Sequence, residues 1–230
     1  MAGPPEVDVL SRSFVLRGLP RAELEGLAST MRRRAYRRGE AVFHQGDPGQ
    51  VLHVVYGGRL KIVLPGQHGE EALLTIVGPG DLFGDLALLD GAPRSASVVA
   101  LEPVETAVLS RAEFLGLLRR SPAVVDGLLA TLAQTIRRLS EEVADLTFLD
   151  LHARLAKKLL DLSETHGQAA DGSIEIQVPL TQEELASMIG ATRPRVNKLL
   201  GLYEDRGAIA RRGRLILILK PELLRGWALA

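Results

Sequence analysis

The chain contains no cysteine. That one absence removes disulfides, thiolate nucleophiles and cysteine-held zinc or iron–sulfur clusters. No run of about 18 apolar residues occurs, so no segment is expected to span a membrane. Met1 to Asp8 carry no basic stretch leading into an apolar one, so no secretory leader is expected and the chain is placed in the cytoplasm. Metal-ligand spacing is missing too: His44, His53, His68, His152 and His166 are scattered, and no metal is expected. Asp81, Asp85 and Arg94 form a charged cluster, but there is no nucleophile–base pair and no Walker loop. No catalytic residue is therefore assigned, and an enzyme is not expected. Net charge is zero, with 28 basic residues against 28 acidic ones.

What is present reads as globular. Hydrophobic residues make up 46% of 230 positions, enough for one large or two small domains. The zero net charge hides a split. Residues 151–230 hold 12 Lys/Arg and 9 Asp/Glu, leaving 16 and 19 for residues 1–150. The C-terminal excess is small but clustered: Arg193, Arg195 and Lys198 fall together, as do Arg211, Arg212 and Arg214. Such clusters suit a polyanion.

Over 19–34 (LPRAELEGLASTMRRR) apolar positions recur at helical spacing, and the basic end suits the C-terminal pole of a helix. From about 35 to 110, short β-prone runs (VLHVVY, RLKIVL, EALLTIV, ASVVAL, TAVLS) alternate with turns at Gly46–Gly49, Gly57–Gly58 and Gly78–Gly80. This texture predicts a β-barrel or jelly roll. A long helix opens near Ser121 and Pro122, and Val125, Leu129, Leu132, Ile136, Leu139, Val143 and Leu146 follow in steps of four and three. Leu129, Ile136 and Val143 take heptad position a; Val125, Leu132, Leu139 and Leu146 take d. Mostly β-branched residues at a with leucine at d predict a parallel two-stranded coil, hence a homodimer. A helix packed on its own domain normally shows a wider stripe of period 3.6. Asp150 takes the next a position, so the seam ends before it. Residues 151–165 read as a further helix and 173–178 (SIEIQV) as a strand. The boundary is therefore expected near 149/150, with the dimerisation helix (about 121–149) inside domain 1–149 and the second domain at 150–230.

Residues 181–203 read TQEELASMIGATRPRVNKLLGLY. Thr181 with Glu184 forms a capping box that starts a helix at Gln182. Ala186, Gly190 and Val196 then stand where a helix-turn-helix needs a small residue, a turn residue and an apolar contact. Thr192 is expected to cap the second helix, with Pro194 in its first turn. The exposed face carries Arg193, Arg195, Asn197 and Lys198. Arginine can pair with guanine through two bonds, while lysine and asparagine can bind phosphates or base edges. Gly207–Leu219 reads as a hairpin wing whose Arg211, Arg212 and Arg214 can reach phosphates. A unit reading double-stranded DNA is expected, and two-fold pairing implies an inverted-repeat site.

A second motif, GDLFGDLALLDGAPRSASVVA (80–100), carries anion-binding chemistry. Gly84 opens a short helix, Asp85–Leu89, whose N–H groups point at an anion. Arg94 offers a planar fork to a phosphate, and Ser95 adds a hydroxyl and an N–H. With this motif, the Phe148–Leu149–Asp150 hinge and the helix-turn-helix, the chain resembles the CRP/FNR family of bacterial transcription regulators over essentially its whole length. The resemblance implies an α+β fold: an N-terminal cyclic-nucleotide-binding β-roll (jelly roll), a long dimerisation helix and a C-terminal winged helix-turn-helix. It implies a cyclic nucleotide as effector, cyclic AMP first among them, held by Gly84, Asp85, Leu86, Arg94 and Ser95, with Ser140 reaching across the dimer seam. If the protein activates, RNA polymerase is the implied further partner.

Three departures keep alternatives open. The glutamate that usually meets the ribose 2′-OH is Asp85 here, shorter by about one C–C bond, ~1.5 Å. Cyclic-AMP-binding members contact adenine through a Thr-Ser pair on the dimer helix. Those positions are Leu139 and Ser140, and Leu139 cannot hydrogen-bond an amine. The family's Arg-Glu-x-x-x-Arg reading pattern becomes Arg193, Pro194 and Lys198, so the glutamate's cytosine contact is lost. Beside the cyclic-nucleotide reading stand a regulator with another effector or none, and a structural cassette in which Arg94 only pairs a carboxylate. A nucleotide receptor that does not bind DNA also stands, as does the family's haem-holding variant, for which His53 or His68 would serve.

Overall fold

The computed structural model describes residues 4–66, 70–170 and 172–229, and the chain divides into two compact units, Met1–Arg137 and Arg138–Ala230. In the first, helices α1 (Pro4–Arg12) and α2 (Arg21–Thr30) precede strands β1 (Arg32–Tyr36), β2 (Ala41–Phe43), β3 (Val51–Gly57), β4 (Leu60–Pro65), β5 (Glu71–Val77) and β6 (Leu82–Phe83). A short helix α3 (Leu86–Asp90), strands β7 (Ser97–Ala100) and β8 (Val104–Ser110), and helices α4 (Arg111–Arg120) and α5 (Pro122–Phe148) follow. The strands form two four-stranded sheets, β1-β8-β3-β6 and β2-β7-β4-β5, antiparallel throughout. Val55, Leu60, Val77, Phe83, Val98 and Val104 form one core with Phe43 and Tyr36 at its margin. This is the β-roll that the alternating runs and glycine turns imply. A second core joins Leu10, Leu24, Phe114, Leu117 and Val124 of the helices to Leu52 and Leu109 of the roll. Each fully buried side chain of this kind stabilises by roughly 1.5–3 kcal/mol.

The helix expected over 19–34 is corrected by the structure. α2 stops at Thr30, and the arginine run belongs to strand β1, where Arg33 lies opposite Ala107 of β8. Helical spacing is a local signal, and pairing with a strand far along the chain overrides it. Arg33 also forms ion pairs with Glu6 and Glu105. A row of exposed arginines on an edge strand discourages further strand addition.

The second unit takes the end of α5, then α6 (Leu151–His166), β9 (Gly167–Ala170), β10 (Ser173–Ile176), α7 (Gln182–Met188), α8 (Arg193–Asp205), β11 (Ile209–Arg212), β12 (Leu215–Ile218) and α9 (Pro221–Ala228). Its sheet runs β11-β12-β10-β9. The division falls inside α5, earlier than the sequence-expected 149/150. Ion pairs explain this: Lys157 lies 2.7 Å from Asp145, and Lys158 lies 3.6 Å from Glu142, so the last turns of α5 are held to α6. Asp150 ends the seam by becoming the cap of α6, its carboxylate accepting from Ala153 N at 2.8 Å. At the far side, Trp227 of α9 stacks on Tyr203 of α8 with centroids 4.7 Å apart, and the Tyr203 hydroxyl donates to His152 O at 2.7 Å.

Candidate effector pocket and nucleic-acid interface

The roll's anion-binding cassette is built around one buried arginine. Arg94 is only 5% exposed. Its Nη1 donates to Gly84 O at 2.7 Å and its Nη2 to Val51 O at 2.6 Å, while Cζ sits 4.0 Å from the Phe43 ring centroid. Nε is buried with no hydrogen-bond partner. Among the described residues, none of its hydrogen bonds goes to a carboxylate. Two glycines make room for it. Gly84 has φ +81°, and a Cβ there would lie 2.5 Å from Nη1; a Cβ at Gly49 would strike Ala87 and lie 3.5 Å from Arg94 Cζ. Burial pushes the Arg94 pKa down from its usual value, with Asp47 and Asp85 opposing. Burial likewise raises Asp85, opposed by backbone N–H groups at Asp85 and Leu86 and by Arg94.

The short helix begins one residue later than expected. Asp85 is the residue before α3, in helical backbone geometry, and its side chain makes no cap bond. Leu86 is 46% exposed, and Ser95 is exposed with its carbonyl accepting from Gln45 Nε2 at 3.3 Å. Behind Arg94 lies a ring cluster. His53 stacks on Phe83 at 4.9 Å, and its Nδ1 hydrogen-bonds with Thr106 Oγ1 at 3.1 Å. Burial, with Arg94 and Arg34 adding, pushes the His53 pKa down to about 3, so the ring is neutral. His68, the other histidine considered for haem, lies outside the described residues. Sequence reasoning misses Gly49, Val51 and Phe43 as parts of this site. The turn at Gly46–Gly49 is visible there only as punctuation.

In the second unit the capping box forms as expected. Thr181 Oγ1 accepts from Glu184 N at 3.1 Å, and Glu184 accepts from Thr181 N at 2.8 Å. Gly190 has φ +63°, and Ala186 and Val196 are buried at the crossing of α7 and α8. One detail is corrected: Thr192 occupies the cap position of α8, but its side chain makes no cap hydrogen bond. Thr192, Arg193, Arg195, Asn197 and Lys198 are all exposed, on one end of α8. The wing hairpin turns through Gly213 (φ +66°) and Arg214, which puts Arg212 and Arg214 at its tip. Arg212 is exposed and lies 4.0 Å from Glu175. Arg211 differs. Its guanidinium turns back onto α8, with Nη2 2.5 Å from Glu204 Oε2 and Nη1 donating to Asn197 Oδ1 at 3.0 Å.

Along α5 the heptad divides. Val125 and Leu132 are half-buried, and Leu132 packs on the helical core of the first unit. Leu129, Ile136, Leu139, Val143 and Leu146 are 45–64% exposed, an apolar stripe on the outer face of a single chain. Ser140 is exposed beside it on the same helix, within the second unit.

A roll seating a buried arginine whose guanidinium hydrogen-bonds to carbonyl oxygens, continued by a long helix into a helix-turn-helix with a basic wing, defines an effector-controlled DNA-binding regulator. Known domain families match in the same places: the cyclic nucleotide-binding domain over residues 33–121, and the Crp-like helix-turn-helix domain over 153–227. The chain is 34% identical over 217 residues to the CRP-like cAMP-activated global transcriptional regulator of Mycobacterium tuberculosis, across 94% of this chain and 97% of that one. It is 35% identical over 197 residues to the cyclic AMP receptor protein of Thermus thermophilus, across 86% and 88%. A solved CRP/FNR family transcriptional regulator, also from Thermus thermophilus, shares the fold, with TM-score 0.72 and 24% identity over 86% of this chain and 99% of that one. The chain belongs to the CRP/FNR family of transcription regulators, and like that family it is not an enzyme.

Proposed function

We propose that the protein is a homodimer that reads an inverted-repeat DNA site under the control of a cyclic nucleotide, with cyclic AMP the best-fitting effector. Residues 1–149 sense and dimerise, residues 150–230 read DNA, and where the protein activates, RNA polymerase is its further partner. The observation that carries the effector assignment is Arg94, a cation 5% exposed whose bonds all go to carbonyl oxygens. Burying a charge that no carboxylate hydrogen-bonds is costly, Asp47 and Asp85 offset it only through space, and a phosphate received by Arg94 and Ser95 offsets the rest. Asp85 is then the acceptor for the ribose 2′-OH, Gly84 and Leu86 line the approach, and Ser140 serves the base. The relatives named as cAMP-activated support the same effector. Leu139, apolar where adenine is normally met, supports a second reading in which another nucleotide is preferred.

Titration calorimetry with cyclic AMP, cyclic GMP and buffer separates these readings. Saturable binding of cyclic AMP that also raises DNA affinity is expected, and a preference for cyclic GMP would favour the second reading. Binding of neither nucleotide would sink the effector assignment. In the same assay Asp85→Glu is expected to tighten binding, because the longer side chain restores the reach to the ribose. Unchanged or weaker binding would show that Asp85 is not a shortened form of the family's glutamate.

On the DNA side, two protomers present two copies of α8 to half-sites about one helical turn, ~34 Å, apart. Arg193 stands at the N-terminal end of α8, exposed, and is the residue proposed to read guanine through N7 and O6. Arg193→Ala is expected to cost ~1–3 kcal/mol per half-site and to relax preference at that guanine. Binding curves on a matched and a guanine-substituted duplex check this. Equal losses on both would make Arg193 a phosphate contact instead.

A further inference from the structure

Three polar side chains tie the reading helix to the wing, and a fourth ties it to α7. Gln182 Nε2, at the start of α7, donates to Asn197 Oδ1 at 3.1 Å, and Arg211 Nη1, on the wing strand, donates to the same oxygen at 3.0 Å. Arg211 Nη2 meets Glu204 Oε2 at 2.5 Å, and the Arg211 backbone N–H donates to Glu204 Oε1 at 3.1 Å. Both Glu204 oxygens are therefore committed to one wing residue. The mutual hydrogen bond pushes Arg211 up and Glu204 down from their usual pKa values, so both stay charged across the physiological range.

The chemistry fixes which way the Asn197 amide faces. A guanidinium has five donors and no acceptor, so the atom turned toward Arg211 must be the carbonyl oxygen. That oxygen has two lone pairs, and Gln182 and Arg211 take one each. What Asn197 has left for DNA is its NH₂ group, which only donates. An asparagine reads adenine by donating to N7 while accepting from N6, and the accepting half is already spent.

We infer that Arg211 is a positioning residue rather than a phosphate contact: it locks the wing to α8 and sets Asn197 as a donor-only reader of an acceptor on the DNA. Guanine N7 or O6, thymine O4 and a phosphate oxygen are acceptors of that kind; adenine's paired edge is excluded. Backbone contact by the wing then falls to Arg212 and Arg214 at its tip. The inference rests on the DNA-binding reading and refines it.

Full-length protein, with cyclic AMP present, is used to select a duplex from a randomised library, and salt-dependent binding curves are measured on that duplex. Arg212→Ala is expected to flatten the salt slope by about one unit, the mark of one lost phosphate contact. Arg211→Ala is expected to weaken binding about tenfold with the slope unchanged. Glu204→Gln decides between the roles because they predict opposite signs. If Arg211 positions Asn197, Glu204→Gln weakens binding, and the Glu204→Gln/Arg211→Ala double variant is no worse than either single one. If Arg211 is a phosphate contact, freeing it by Glu204→Gln tightens binding and steepens the slope, which overturns the inference, as does a flattened slope in Arg211→Ala. Repeating the selection with Arg211→Ala is expected to raise adenine at one position, since the Asn197 oxygen is released. A strong adenine in the wild-type selection that disappears in Asn197→Ala overturns the donor-only role. Whether the wild-type protein selects any duplex at all bears on the DNA-binding and effector readings, and the pattern among variants bears on Arg211.

Discussion

Replacing Leu139 and Val143 together with aspartate is expected to give a monomer that keeps both units folded and no longer holds an inverted-repeat duplex tightly. In one chain these side chains are 45% and 63% exposed, so a carboxylate there stays in water. In a paired seam the same carboxylates are buried without partners, at several kcal/mol each and in two copies. Each 1.4 kcal/mol is a factor of ten, so the dimer constant falls by about three decades or more. DNA affinity falls with it, because two linked reading helices gain from effective concentration and one does not. Val125 and Leu132 are unsuitable for this test, since both are half-buried in a single chain and Leu132 packs on the helical core of the first unit, so a charge there would disturb folding as well as pairing. Sedimentation at micromolar protein, with thermal melts as the folding control, is the measurement. A double variant that still sediments as a dimer removes the coil from the account.

Arg94→Ala is expected to abolish cyclic-nucleotide binding at concentrations that saturate the wild type. The phosphate loses a charge-assisted pair worth ~1.5–3 kcal/mol, a factor of roughly ten to more than a hundred. The loss is compounded because Gly84 O and Val51 O lose the donors that hold the loop ahead of α3 to strand β3. Calorimetry reads the binding, and a melt of the first unit reads the loop. Arg94→Lys separates the two effects. It keeps the charge but cannot span both carbonyls and a phosphate oxygen with a planar fork, so weak rather than absent binding is expected. Wild-type affinity in Arg94→Ala would mean that the nucleotide is held elsewhere.

The parts legible in the sequence are those whose cause is local. Thr181 with Glu184 marks the start of α7, Gly190 marks the turn, and Gly213 marks the wing tip, each within a few residues of the structure it produces. The heptad along α5 is legible as a pattern. Its division into inward positions at Val125 and Leu132 and outward ones at Leu129 and from Ile136 onward depends on what the rest of the first unit packs against it, which no spacing records. Arg32–Arg34 mislead for the same reason: a helical tail and an edge strand carry the same residues, and pairing with β8 decides. Strand β9 and helix α1 give no usable signal, whereas the capping box at Ser110 and Glu113 that opens α4 is present in the sequence and easily overlooked. In the pocket, Arg94 can be named from its motif, but its seat is made by Val51 O and Phe43, far earlier in the chain. Arg211 reads as open to phosphates because its charge is local information. Glu204 and Asn197 lie across the hairpin on another helix, and they claim its fork first.

The stack of Trp227 on Tyr203 makes the protein its own optical probe. The chain has one tryptophan, and it sits in the second unit, against the helix whose other end carries Arg193. Light absorbed selectively by indole is thus emitted from the reading unit alone, while the roll, with no tryptophan, is dark at that wavelength. A change in emission when nucleotide is added reports a change around Trp227, which packs on Tyr203 of α8 and on His152 of α6. Intrinsic fluorescence therefore times how quickly an event in the roll is felt by the DNA-reading unit, with no label attached to either.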